Sequence, residues 1–439
     1  MKKRISNLMQ TKISLPLVAI FCLLFTCLVV SISILVASIS IKRAEQEYDK
    51  AYNELKSSYE QSFASLNEMY KALPSEQKNT ELFKRLSYID AYYRSLYAGE
   101  IDEERLTYYL MQGYIEGVGD KHGEYYTASD LDTLIRESEG KMYGIGVSVV
   151  YSKEYDAIEI LTVTEGSPAD NAGLGAGDII ICVEGERVSL ENYFASINKV
   201  KGEKGTGVTL TVIKNGEERE VTCIRDEITI TSVSYHKYAL DSSIGIVRIS
   251  EFNNETPNQM ISALSSLVSD GVKSVILDVR NNPGGTLDSV TEILDYLLGE
   301  GDICHILDAS GRTVQKLTSD KDCFDPSIKM AVLINENTAS AAELLASCLR
   351  DYGRATLVGT KSYGKGSMQT TYMLPDGAGL KLTTNTYLPP SLESYDGIGI
   401  TPNKVVELDE ALRDKSFFKI TDEEDNQLLA SARELGYTK

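Results

Sequence analysis

The chain has 439 residues, 42% hydrophobic and 25% charged, with a formal net charge of −20. That balance describes a folded protein with two or three cored units and excludes the disordered class. With no basic stretch beyond its first few residues, the chain cannot neutralise a row of phosphates, which excludes a nucleic-acid partner and disfavours lying flat on an anionic bilayer.

Lys2, Lys3, Arg4 and Lys12 precede an uncharged, apolar run from Ser14 to Ile41. As a helix it is about 42 Å long, more than a hydrocarbon core of roughly 30 Å requires. Residues 1–43 are therefore read as a cytoplasmic tip and a single transmembrane helix. The positive-inside rule keeps the N-terminus cytoplasmic and places everything after Arg43 outside the cell membrane. A cleaved signal peptide has an apolar region of only about 7–15 residues, so cleavage near Ser38 is the lesser alternative.

Residues 44–130 read as helical. Tyr48, Tyr52, Leu55, Tyr59, Phe63, Leu66 and Tyr70 trace one face of a long helix that Pro74 ends. Such a helix is either a stalk pairing two subunits into a homodimer or a helix packed on its own domain. A second helix carries Phe83, Leu86, Ile89, Tyr93 and Leu96 on one stripe, and a third begins near Asp102 and ends in GVGDKHG.

Residues 131–227 change to a β pattern (YGIGVSVV, AIEILTV, GVTLTVIKNG, EREVTCI), with Asn215-Gly216 marking a tight hairpin. Residues 228–408 alternate strands with helices, which predicts an α/β core. In it GIVRI is followed by a helix capped by Thr256, with Pro257 at its first position and Ile261, Leu264 and Val268 on one face. Residues 409–439 form a C-terminal helical segment. Of seven cysteines, five (Cys182, Cys223, Cys304, Cys323 and Cys348) follow the apolar run. Their spacing fits no metal site, so the expectation is buried thiols, or at most one disulfide in the β-rich module, with no metal and no cofactor.

The chemistry begins at AVLINENTASAAELLASCL, a buried-type strand running through a polar turn into a helix. Ser340 sits at that helix start, where unpaired N–H groups carry partial positive charge and suit an oxyanion beside the hydroxyl. Serine at a helix start is otherwise an ordinary cap. A nucleophilic serine needs a base, and His122, His236 and His305 lie in no motif that supports a histidine triad. A lysine serves only when neutral, so it needs desolvation, small neighbours and no close carboxylate. Lys365 fits, lying between Gly364 and Gly366 with no acidic residue from Tyr352 through Leu374 and with Gln369 four positions on. In an extended segment that even spacing puts Lys365 and Gln369 on one face. Lys361 lacks this support.

TASAAELLA, the lysine of GKG 25 positions after its serine, and the glutamine four further on together resemble the C-terminal processing (tail-specific) serine peptidases. DVRNNPGG resembles the strand and turn before that family's active site, YGIGV and GSPADNAGL its PDZ insertion, and DGIGITPN its closing β segment. The resemblance implies a crotonase-like α/β core with an inserted PDZ domain, with Ser340 as nucleophile, Lys365 as general base and Gln369 orienting it. It also implies an oxyanion hole from the backbones of Gly284 or Gly285 and Ala341, and a carboxylate loop at Gly144, Ile145, Gly146 and Val147. The expected activity is cleavage of extracytoplasmic polypeptides with accessible C-termini, the PDZ module holding the tail. Two departures are Thr286 after NPGG, where a larger apolar residue is common, and Lys201, where relatives often carry arginine. The rival readings are a catalytically silent PDZ scaffold and, less favoured, an isomerase- or hydratase-type enzyme on the same core.

Overall fold

The computed structural model describes residues 80–413 and 415–438. The apolar run of residues 14–41, the stalk periodicity and Pro74 lie outside the described residues. Among the described residues no helix is long and apolar enough to cross a membrane.

The chain divides into two compact units. The described part of the smaller comprises residues 80–102 and 373–375 and contains α1 (Thr80–Leu96). Of the stripe expected on this helix, Phe83, Ile89, Tyr93 and Leu96 are exposed.

The larger unit opens with α2 (Glu103–Val118), β1 (Glu124–Tyr126), α3 (Ala128–Ser138) and β2 (Lys141–Gly144). An inserted module follows: β3 (Val147–Ser152), β4 (Ala157–Val163), α4 (Pro168–Asn171), β5 (Ile179–Val183), β6 (Glu186–Arg187), α5 (Tyr193–Val200), β7 (Gly207–Lys214) and β8 (Glu217–Ile224). Its sheet has the order β3-β4-β5-β7-β8, with β6 paired to β5. Ile145, Ile158, Ile160, Ile180, Val208, Leu210 and Val212 close its core. Asn215 (φ 51°) and Gly216 (φ 83°) make the β7–β8 turn with two positive φ values, the geometry that matches strand twist. β9 (Asp226–Thr229) pairs antiparallel with β2, so the module enters and leaves through one two-stranded ribbon. The junction read between residues 130 and 131 falls inside α3, and that read between 227 and 228 falls inside β9.

The core follows as β10 (Val233–Lys237), β11 (Ile244–Ile249), α6 (Thr256–Ser269), β12 (Ser274–Asp278), α7 (Leu287–Leu297), β13 (Gly301–Leu307), β14 (Thr313–Ser319) and β15 (Lys329–Ile334). It continues with α8 (Ala341–Asp351), β16 (Ala355–Gly359), β17 (Ser367–Met373), β18 (Gly379–Leu388), β19 (Lys404–Val405) and α9 (Asn426–Glu434). One sheet runs β10-β11-β12-β15-β16-β19, parallel except for β10. Its central strands are continuous apolar runs, as strands covered on both faces must be. Helices α6, α7 and α8 pack one face, and Leu428 and Ala432 of α9 cover Ile246, Ile276, Leu333 and Val358 on the other. A second, antiparallel sheet of order β1-β18-β13-β14, with β17 on β18, has no counterpart in the sequence reading. Residues 124–126, expected within a helical region, are the strand that completes it.

Several local expectations are corrected. Glu255, not Thr256, is the N-cap of α6, because the Thr256 hydroxyl accepts from Asn253 N (2.9 Å) and is spent on that turn. The buried face of α6 is Met260, Ala263, Leu264 and Leu267, rotated from the one expected through Ile261 and Val268. DGIGITPN forms turns, with Gly397 and Gly399 at positive φ, and only the two residues of β19 follow as strand. The five cysteines beyond the apolar run are free thiols.

β12 ends in an ionic knot. Asp278, fully buried, accepts from Arg280 Nε (2.9 Å) and from an Arg248 guanidinium nitrogen (2.9 Å). Arg280, also buried, donates to Asp425 Oδ2 (2.8 Å) and Gln427 Oε1 (2.8 Å) at the start of α9, and both guanidinium groups stack on Phe417. Burial opposes the Asp278 charge, but the two guanidiniums overcome it and hold the carboxyl far below its ordinary range. The knot fixes the backbone from which the NNPGG turn departs. Replacing Arg280 by methionine leaves two buried carboxylates short of a partner, and chemical denaturation is expected to show a loss of about 3–5 kcal/mol.

Candidate active site

Adjacent parallel strands β12 and β15 end side by side, and the turns that follow them build the site, as expected at the carboxyl edge of such a sheet. Asn335 Nδ2 and Asn337 Nδ2 both donate to Asn281 Oδ1 (2.9 Å each), and Ala339 N donates to Asn282 O (3.0 Å). Thr338 Oγ1 donates to Val279 O (2.8 Å). The NNPGG turn and the nucleophile turn are thus one hydrogen-bonded body.

Ser340 is the N-cap of α8 and lies just ahead of the helix proper. Its φ of 55° and ψ of −120° lie in a region that non-glycine residues rarely occupy and that stores strain at functional sites. Gly284, at φ 106°, makes this possible: a Cβ there would stand 2.7 Å from the Ser340 Cβ. Two N–H groups beside the serine have no acceptor among the described residues, that of Ala341 at the first position of α8 and that of Gly285. Gly284 N is already engaged, donating to Asn282 Oδ1 (2.8 Å), so the structure distinguishes two glycines that the sequence left equivalent.

Lys365 is half-buried in the same cleft of about 570 Å³, which is lined by Gly284, Gly285, Ser340, Ala341, Gln369 and Tyr387 among others. No hydrogen bond or ion pair engages its ammonium among the described residues. Burial, then the charge of Lys381, hold its pKa below the ordinary lysine value, and Glu343 opposes them. Lys381, also in the cleft, is ion-paired to Glu124 Oε2 (2.7 Å) and held above the ordinary value, so it keeps its proton and is unfit as a base. Lys361 is exposed, and no histidine lines the cleft. Gln369 lies in the cleft but donates to Ser367 Oγ (3.1 Å) and Thr383 Oγ1 (3.3 Å) and not to Lys365. The even-spacing argument fails because Lys365 precedes β17 and is not in an extended strand. Thr286 caps α7 through Ser289 N and also faces the cleft.

Glu343 is the residue the sequence reading missed, and it overturns the requirement that no carboxylate stand near the lysine. Fully buried, it accepts from Ser340 N (3.0 Å) and Lys365 N (2.7 Å) at Oε2, and from Gly364 N (2.6 Å) and Ser362 Oγ (2.5 Å) at Oε1. The signal was available: Ser340 and Glu343 have the S-x-x-E spacing of a capping box. Asp396 Oδ1 accepts from Gly366 N (2.8 Å), and the Tyr387 hydroxyl donates to Lys365 O (3.1 Å), so the lysine loop is held from three sides.

In the inserted module the loop Gly144–Val147 borders a groove of about 110 Å³ between β3 and α5, with Val149, Ile158, Ile180, Ile197 and Val200 in its walls. Ile145 and Gly146 turn their carbonyls inward to Ala169 N and Thr164 N (2.9 Å each). Gly146, at φ 80°, admits no side chain because a Cβ would meet Ser167 at 2.4 Å. Lys201, at the rim, pairs with Glu137 of α3 (2.8 Å), and Glu137 itself lines the Ser340 cleft.

A test follows from the four bonds to Glu343. Glu343→Gln must aim an amide N–H₂ at two N–H or O–H donors, and urea denaturation is expected to show a loss of about 2–3 kcal/mol. An unchanged midpoint and slope would mean that the carboxylate is not the anchor of both turns.

Comparison with known proteins agrees with this architecture. Residues 243–406 match peptidase family S41, and residues 144–224 match the PDZ domain. The chain is 31% identical over 352 residues to the carboxy-terminal-processing protease of Bartonella bacilliformis, covering 78% of this chain and 80% of that protein. It is 29% identical over 333 residues to a probable CtpA-like serine protease of Staphylococcus saprophyticus, covering 75% of this chain and 67% of that protein. Among solved structures, the photosystem II D1 C-terminal processing protease aligns over 73% of this chain and 86% of its own, at 28% identity and a TM-score of 0.45. The chain belongs to peptidase family S41 and is a serine peptidase of the C-terminal processing group, bearing a PDZ domain.

Proposed function

We propose that Ser340 and Lys365 form the catalytic dyad of an endopeptidase that cuts polypeptides at or near their C-termini. One observation carries the reading: a half-buried lysine amine, unpaired among the described residues, shares a cleft with a strained serine flanked by two backbone N–H groups that have no acceptor among those residues. Neutral Lys365 takes the Ser340 Oγ proton as the oxygen attacks the scissile carbonyl carbon. The N–H groups of Gly285 and Ala341 receive the oxyanion. Collapse breaks the C–N bond, the Lys365 ammonium gives its proton to the departing amine, and an acyl-serine remains. Water then attacks the ester, its proton passing to Lys365 and back to Ser340 Oγ as the acid leaves.

The module's role in this reading is to hold the substrate tail. Ile145 and Gly146 have N–H groups without acceptors among the described residues, which suits a terminal carboxylate, and the aliphatic groove beside them suits an apolar last side chain. The Lys201–Glu137 pair links the rim of that groove to the wall of the Ser340 cleft, which supports tail binding as a gate. The apolar run of residues 14–41 anchors the enzyme in the cell membrane with its catalytic domain outside, and the exposed apolar stripe of α1 supports a homodimer.

The full-length protein in detergent is expected to cleave a loosely folded reporter with an apolar tail. Ser340→Ala and Lys365→Ala should each lower kcat by at least about 10³-fold while tail binding persists. Tail binding with no turnover by any of the three proteins would instead favour a binding scaffold. Because the base must be neutral, kcat/KM should rise with pH through the Lys365 pKa, with a midpoint below the ordinary lysine value of 10.5. Gly146→Val should abolish tail binding and leave hydrolysis of a short tailless peptide unchanged if tail capture is separate from chemistry. Equal loss of both would remove the module from substrate capture.

A further inference from the structure

Two lysines line the Ser340 cleft, and only one is accounted for by the chemistry above. Lys381 is immobilised: its ammonium donates to Glu124 Oε2 (2.7 Å) and the Tyr126 hydroxyl (2.6 Å) and lies 5.2 Å from the centre of the Tyr126 ring. Both partners belong to β1, whose residue Glu124 stands directly across the ladder from Lys381. Tyr126 in turn donates to Glu124 (2.6 Å), closing the cluster. A side chain fixed this firmly is not poised to seize substrate. What it does impose is a fixed cation in the same cleft as a lysine that must lose its own charge.

The other charged groups around Lys365 are committed elsewhere. Glu343 of α8 spends both oxygens on backbone and hydroxyl donors. Asp396, after β18, accepts from Gly366 N, and Asp120, before β1, accepts from Thr383 N (2.7 Å) and Thr383 Oγ1 (2.8 Å). Glu137 of α3 pairs with Lys201, and Glu251, after β11, accepts from Asn253 Nδ2 (2.9 Å). His122, beside Asp120, and the hydroxyls of Tyr387 and Tyr395 are further titratable groups in this region. Among these, Lys381 alone combines a fixed positive charge with a place in the catalytic cleft.

We infer that Lys381, held by Glu124 and Tyr126 of β1, is a positioning residue that keeps Lys365 in its neutral, base-competent form through like-charge repulsion within the cleft they share. The inference rests on the Ser340–Lys365 dyad. A neighbouring cation disfavours a second one and so enlarges the neutral fraction of the base at a given pH. Burial and, beside it, the positive charge of Lys381 hold the Lys365 amine below the ordinary lysine range, which agrees in sign.

The test is the pH dependence of kcat/KM of the full-length protein on a short peptide reporter, comparing wild type with Lys381→Met and Lys381→Arg. In Lys381→Met the acid limb should move to higher pH by on the order of one unit, a roughly tenfold loss near neutrality that is regained in base. Lys381→Arg retains the charge and should leave the limb in place. A uniform loss at every pH in Lys381→Met, or an equal displacement in both variants, would overturn the inference and leave Lys381 a packing residue. A readout independent of turnover is the pH dependence of amine acylation at Lys365 in Ser340→Ala, with and without Lys381→Gln, which also serves if Lys381→Met does not fold. There the same upward displacement is expected, and its absence counts against the inference. Failure of the dyad itself is separately visible, because Lys365→Ala would then keep its activity.

Discussion

A single buried carboxylate holds this site together. Ser340 comes from the end of β15 and Lys365 from the loop before β17, segments with no shared ladder that would fix their separation. Glu343 supplies it, with one oxygen bridging the two backbone N–H groups and the other drawing in Gly364 and Ser362. Burying a carboxylate is costly unless its lone pairs are filled, and here four short bonds fill them. The cost of burial therefore becomes rigidity, since all four donors, from two separate turns, must converge on one group to offset it. The same residue faces the positive end of α8, a further reason for a carboxylate at this position.

The second element of organisation is the pair of turns at the carboxyl edge of the parallel sheet. The Arg280 knot sets the direction in which the chain leaves β12, and three asparagines sew that turn to the next one. Strain at Ser340 is then sustained by its surroundings: Gly284 leaves the room that a Cβ would close, and α8 is buried along nearly its whole length. Free N–H groups at Gly285 and Ala341 are the by-product of this geometry. Among the described residues neither has an acceptor, that of Ala341 because it belongs to the first turn of α8 and that of Gly285 because the chain turns there.

Much of this was legible in the sequence because the chemistry sits in short, ordered motifs. Ser340 could be placed at a helix start from the pattern of its own strand and helix, and Lys365 from the absence of acid around it. What could not be read was contact between segments distant in sequence. Glu343 had a local signature, but it reads as an ordinary capping residue until the lysine loop folds over it. Asp396 and Lys381 carry no local signature, and β1 is three residues long, below the length at which alternation can be recognised. The face of Gln369 was not legible for a different reason: even spacing assigns a face only within a strand, and β17 begins two residues after Lys365.

The stretch from β1 to β2 has a consequence of its own. Without leaving the chain it passes from Glu124 beside the second lysine, along α3 with Leu131, Leu134 and Ile135 on the cleft wall, to Gly144 at the entrance of the module. Residues 124–144 are therefore a ruler as much as a connection. One inserted residue within α3 would turn everything beyond it by about 100° about the helix axis. Cleft wall and module ribbon could not then both stay in register. An insertion is therefore tolerated better in the module's surface loops than in this segment, where the count of residues sets the register.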